Sequence, residues 1–142
     1  MDVQRSKADF HVFRLKPKMD LRKSIVEFAN EKHIRAGCIV SCVGSLEQYH
    51  LRFANQETGQ LQTGFFEIVS FAGTFSKASC HLHISVADSN GHIFGGHLLD
   101  DNLIYTTAEI VVAELTDVEF NREVDATFGY KELVVLREKK DS

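Results

Sequence analysis

At 142 residues and 16.0 kDa the chain has the length of one compact domain, and its 44% hydrophobic content supplies a core that excludes a disordered chain. Sixteen Lys+Arg against twenty Asp+Glu leave a net charge of −4, the reverse of the basic excess of an isolated nucleic-acid-binding module. The longest mostly apolar stretch, residues 110–113, falls far short of the roughly 20 residues of a membrane span, and the polar residues 1–9 carry no secretory leader pattern. Cys38, Cys42 and Cys80 are an odd set, and with no leader pattern they read as free thiols in a reducing cytoplasm.

Charge is unevenly spread. Residues 1–35 hold nine Lys/Arg against five Asp/Glu, whereas residues 88–125 hold nine acids with Arg122 as their one base. A polyanion would meet the N-terminal part first, which makes Lys16, Lys18, Arg22 and Lys23 the candidate DNA contacts. No AT-hook, helix-turn-helix signature or Cys-rich finger is present, and no repeat or Gly/Ser linker divides the chain. The expected organisation is an N-terminal extension over 1–9, a single domain over 10–136 and a charged tail over 137–142.

In chain order, residues 10–15 alternate as a first strand, with His11, Phe13 and Leu15 on one face and Phe10 and Val12 on the other. Asp20 is a candidate N-cap, and Leu21, Ile25, Phe28 and Ala29 recur at helical spacing, which predicts a helix over about 20–32. Gly37 stands at its natural stop. Residues 36–43 read as a buried strand broken by Gly44-Ser45. Residues 49–54 alternate, and 65–75 are strand-like with a break near Ser70 or Gly73. Residues 80–87 and 92–99 flank a loop with Asp88, Asn90 and Gly91, a hairpin signal. Strands over 106–115 and 131–136 follow. One helix among many strands joined by short turns indicates an α+β domain with a largely antiparallel sheet.

His81 and His83 share one strand face, with Leu82, Ile84 and Val86 turned to the other. The side on which His97 falls depends on the loop. A three-residue loop sets His97 opposite His83, a five-residue loop sets it opposite His81, and a two-residue loop sends it to the far face. With an odd loop, three imidazoles converge as donors suited to Zn²⁺ or another divalent transition metal, and three protein ligands leave a position open. Gly95 lies on the same face, where the missing side chain would leave space for a ligand. His11, His33, His50 and His92 lack such spacing and read as ordinary histidines. Cys38 and Cys42, four apart, are expected on one face as small apolar fillers. Glu67 is the one candidate catalytic or supporting carboxylate.

The segment Gly64-Phe65-Phe66-Glu67-Ile68-Val69-Ser70-Phe71-Ala72-Gly73-Thr74-Phe75, followed by His81-Leu82-His83-Ile84-Ser85-Val86-Ala87-Asp88 and by Gly91, Gly95, Gly96, His97 and Leu98, resembles the signatures of the plants-and-prokaryotes-conserved (PPC) domain. Arg14-Leu15, Asp20-Leu21 and Cys42-Val43-Gly44-Ser45-Leu46 extend the likeness to about residues 10–136. The resemblance implies an α/β sandwich-like, acetolactate-decarboxylase-like fold that assembles as a homotrimer. It also implies the stand-alone prokaryotic type, grouped by family with predicted DNA-binding proteins. It matches His81, His83 and His97 to histidine positions of prokaryotic members, where a bound metal is expected, and Gly95 and Gly96 stand beside them as the candidate ligand space. The expected function is a cytoplasmic trimer with a His-lined site for a metal or a small, anionic ligand. Two alternatives stand beside it. One is a zinc-dependent lyase or hydrolase acting on a small carbonyl or carboxylate compound. The other is a purely structural trimerisation module.

Overall fold

In a computed structural model that describes residues 1–137, the chain forms eight strands and one helix among those residues. They are β1 (Ala8–Leu15), α1 (Leu21–Glu31), β2 (Gly37–Arg52), β3 (Gln60–Phe75), β4 (Cys80–Ala87), β5 (Ile93–Leu98), β6 (Leu103–Leu115), β7 (Val118–Val124) and β8 (Lys131–Arg137). The first six strands in chain order form one sheet, arranged β1-β6-β2-β3-β4-β5, and every pairing in it is antiparallel. The fold class read from the sequence is therefore met. Among the described residues no helix is long and apolar enough to cross a membrane.

Asp20 caps α1 as expected, its carboxylate accepting from the backbone N–H of Lys23 at 3.0 Å. Leu21, Ile25 and Ala29 are fully buried against the sheet, and Phe28 packs its ring on Phe13 and Phe75. The helix does not stop on a glycine. His33 takes the left-handed conformation (φ 52°), and Ile34 N–H reaches back to the Ala29 carbonyl at 2.9 Å, so the terminal carbonyls are satisfied without one. Gly37 instead opens β2.

The expected break at Gly44-Ser45 is absent, and β2 runs unbroken for 16 residues. Gly44 lets β6 come close, since a Cβ there would lie 2.2 Å from the Thr107 carbonyl oxygen. Register slips between Ile39 and Ser41 and on either side of Leu46 absorb the irregularity as bulges. The slip at Val40 also changes the cysteine pattern. Ile39 and Cys42, three apart, both pack on the core, whereas Cys38 is half-buried outside that cluster, so the single-face expectation for Cys38 and Cys42 is corrected. Burial pushes the Cys42 thiol up to about 12.

At its end β2 also pairs with β5, Leu51 with Leu98 and Arg52 with His97, while Leu51 still faces Gln60 of β3. The run β2-β3-β4-β5 thereby curls back on itself. Leu46, Leu51, Leu82, Ile84, Leu98 and Ile110 fill its interior with almost no exposure. Asn102, fully buried, braces the seam: its side-chain carbonyl accepts from His50 N–H at 2.9 Å, and its amide donates to the carbonyls of His50 and Leu99 at 3.1 and 2.6 Å. The pair β7–β8 forms a separate two-stranded ladder, attached through a small cluster of Ala36, Val118 and Phe120. No sequence pattern announces β7. Of the tail expected over 137–142, residues 138–142 lie outside the described residues.

Candidate metal centre

The loop between β4 and β5 decides whether the histidines meet. Asp88 closes it, its carboxylate accepting from the backbone N–H groups of Asn90 and His92, both at 2.9 Å, while Gly91 supplies the left-handed residue (φ 79°). Residues 89–91 form the three-residue turn. His83 consequently pairs with His97, and His81 stands one pleat away on the same face. Leu82, Ile84 and Val86 point into the core and hold the strand in this register.

The three rings form one cluster, with centroids 4.9 Å apart for His81–His83, 5.3 Å for His81–His97 and 5.7 Å for His83–His97. One ligand nitrogen from each lies within 4.8 Å of the others. The Nε2 atoms of His81 and His83 face each other at 3.2 Å. A tetrahedral ion with metal–nitrogen bonds of about 2.0–2.1 Å sets its ligands roughly 3.3 Å apart, so this pair already has the spacing of two coordination vertices. The donor set thus fits a borderline divalent metal. Across β3, His83 faces Ala72 and His81 faces Thr74, small side chains that leave the rings uncovered.

The surroundings of His81 and His97 favour the neutral imidazole, the form that binds metal. Burial first, then the charge of Arg52 and the neighbouring histidines, pull His97 down to about 4. Burial, His83 and Arg122 likewise lower His81, with Glu132 opposing them. A cavity of about 740 Å³ opens beside His81 and His97 and is walled by Arg52, Arg122, Lys131 and Glu132.

The other residues singled out in the sequence lie elsewhere. Gly95 sits against Ser85, whose hydroxyl would be 2.9 Å from an added Cβ, and Gly96 lies against the Arg52 carbonyl oxygen, which would be 2.6 Å from one. Both glycines serve close strand packing. Glu67 pairs with Ala87, four residues along β4 from His83 and so about 13 Å away, and lines a different cavity with Phe65 and Tyr105. The carboxylate near the histidines is Glu132 of β8, which no spacing in the sequence signalled. Lys18 is ion-paired with Glu47, and Arg22 bonds Asp100 at 2.8 Å, while Lys16 and Lys23 are exposed. His11 bonds Glu114 at 2.9 Å, His50 meets the Asp100 carbonyl at 2.9 Å and His92 lies 3.5 Å from Asp88, so each has a partner away from the trio.

Comparison with known proteins agrees with this architecture. The family model of the Plants and Prokaryotes Conserved (PCC) domain matches residues 3–116. A bifunctional protein GlmU of Synechococcus is 42% identical over 120 residues, which are 84% of this chain and 19% of that protein, so the chain spans about a fifth of that relative. The solved structure of a hypothetical protein from Salmonella enterica matches with a TM-score of 0.94 at 35% identity, covering 96% of this chain and 99% of that one. A metal-containing protein from Archaeoglobus fulgidus matches with a TM-score of 0.82 at 26% identity, covering 94% and 99%.

Proposed function

The chain belongs to the Plants and Prokaryotes Conserved (PCC) domain family, and from that premise we propose that it binds a divalent transition metal, zinc being the best fit, through His81, His83 and His97, with a coordination position left open to a small ligand. The observation that carries this reading is the convergence of three imidazole nitrogens within 4.8 Å of one another on one rigid hairpin. The metal content of the Archaeoglobus relative supports it. When bound, such an ion supplies Lewis acidity and lowers the pKa of coordinated water. The chain's own residues hold the donors: Leu82, Ile84 and Val86 anchor β4 from behind, and the Arg52–His97 pairing fixes β5 from the side. Glu67 is too far along the sheet to act on a ligand held by the trio, so no catalytic residue is assigned.

We read the assembly as a homotrimer. Phe10, Val12, Val40, Val43, Phe65 and Val69 are exposed on strands of the large sheet, more apolar surface than a solvated face carries. DNA is a weak partner in this reading, because three chains at −4 give −12 and two of the four candidate contacts, Lys18 and Arg22, are already paired with acids.

The test is metal content and melting temperature, measured together on untagged protein, with the mass of the same sample from light scattering. Wild type is expected to carry close to one ion per chain and to run at about three times 16.0 kDa. His83→Ala should lose most of the metal with little change in melting, and His92→Ala should keep it. Wild type that takes up none of Zn²⁺, Fe²⁺, Ni²⁺ or Mn²⁺ would refute the reading.

A further inference from the structure

The family model ends at residue 116, before β7 begins, yet the cavity beside the histidines is walled in good part by residues of the two strands beyond that point. Arg122 lies on β7, while Lys131 and Glu132 lie on β8. Arg52 comes from the end of β2, where its pairing with His97 puts the two on neighbouring strands at the same level. On the other flank, Arg122 reaches Thr74 with a long contact of 3.5 Å, and Thr74 is the residue opposite His81. A guanidinium therefore stands on each side of the trio.

Among the described residues none of these three cations has an ion-pair partner. Arg52 spends one donor on the Gln56 carbonyl at 3.4 Å, and Arg122 spends one on Thr74. Each guanidinium carries five donors in a planar fork, so most are left over. Three cations against Glu132 leave two net positive charges around one cavity, in a chain whose total charge is −4. The like charges gathered there are only partly compensated by Glu132, in a cavity of about 740 Å³ that holds a small molecule with room to spare. Guanidinium forks match the paired oxygens of carboxylates and phosphates.

We propose that this cavity is an oxyanion pocket, in which Arg52, Arg122 and Lys131 receive the carboxylate or phosphate group of a small molecule whose other end reaches the open position beside the histidines. The β7–β8 hairpin, outside the matched family segment, thus sets the ligand class. The inference rests on the metal reading for the second anchor alone. The oxyanion end depends on the cations.

Calorimetric titration with inorganic phosphate and with malonate, on zinc-loaded protein freed of excess metal, tests it. At least one probe should bind, and the tighter of the two identifies the preferred group. Arg122→Gln should weaken that binding about tenfold or more while zinc content and melting stay at the wild-type level. Glu132→Gln should tighten it, because a repelling carboxylate is gone, and Arg5→Ala, on the exposed N-terminal segment, should change nothing. Arg52→Gln provides a second variant should Arg122→Gln fail to fold. No binding of either probe up to about 10 mM, or equal affinities for Arg122→Gln and Arg5→Ala, would overturn the pocket and leave the metal site standing. Binding that persists in a chain that takes up no metal would do the reverse.

Discussion

Two hairpins line the same cavity and are built in opposite ways. In β4–β5, every second residue of β4 is sealed in the core, and the histidines occupy the positions between. In β7–β8, only Val118 and Phe120 are buried, Val124 is 65% exposed, and the ladder is not part of the six-stranded sheet. The first is held by the central core and can fix donor atoms to fractions of an ångström. The second hangs on three buried residues and contributes long charged side chains that need no such fixing. The proposed metal ligation and the proposed oxyanion contacts would demand different rigidity, and the two hairpins differ in anchorage in that sense.

The largest expected effects come from deleting the anchors. Leu82→Ala should cost about 2–5 kcal/mol and disperse the histidines, as for any fully buried leucine. Phe120→Ala should lower overall stability by less than about 1 kcal/mol in chemical denaturation, yet accelerate amide exchange along β7 and β8 alone. Equal losses for the two variants would make the hairpins one cooperative unit and break the comparison.

A smaller effect isolates the turns. Gly91 (φ 79°) and Gly129 (φ 78°) close the two hairpins in the same left-handed conformation, and an added Cβ would touch nothing within 4 Å at either. Alanine therefore costs about 1 kcal/mol of backbone strain at each site. For Gly91→Ala that loss should appear in the global midpoint. For Gly129→Ala it should appear as faster exchange around residues 125–131, with the midpoint unchanged.

The smallest effect is on the pH dependence of the metal-free protein. His97 titrates at about 4 in the fold and near its ordinary 6.5 when unfolded. Between those values the unfolded chain takes up a proton that the native chain refuses, so stability is present above 6.5 and is lost as pH falls toward 4. Solvent screening of the half-exposed ring keeps this contribution small, and His97→Gln should remove it. In the other hairpin, Asp125 is held below the usual carboxylate range by hydrogen bonds from Thr127, so its contribution disappears only as pH falls further, through its lowered value. Denaturation midpoints against pH for wild type and His97→Gln check the first window, and amide exchange of β7 and β8 against pH checks the second.

This division also explains how much of the site is legible in the sequence. Leu82, Ile84 and Val86 alternate with His81 and His83, and a period-two pattern states the face of each residue without reference to the rest of the chain. His97 is legible only up to the loop length, which Asp88 and Gly91 settle by local hydrogen bonds and a positive φ. Arg52, Arg122 and Glu132 are not legible. They reach the site through a strand closure and a separate hairpin, contacts between residues far apart in sequence that leave no local signature. Two other expectations fail for the same reason: Val40 inverts the face of a cysteine through a bulge, and Gly44, a breaker by composition, is a point of close strand approach.

The pairing of Leu51 and Arg52 with Leu98 and His97 also bears on aggregation. An outermost strand exposes unsatisfied amides and carbonyls that can template the addition of another chain. Because β2 turns back onto β5, the final residues of that strand are claimed from both sides, and the ribbon bearing the histidines is partly withdrawn from intermolecular strand addition. The opposite border of the sheet falls to β1, where Asp9 and Arg14 stand exposed as charged gatekeepers.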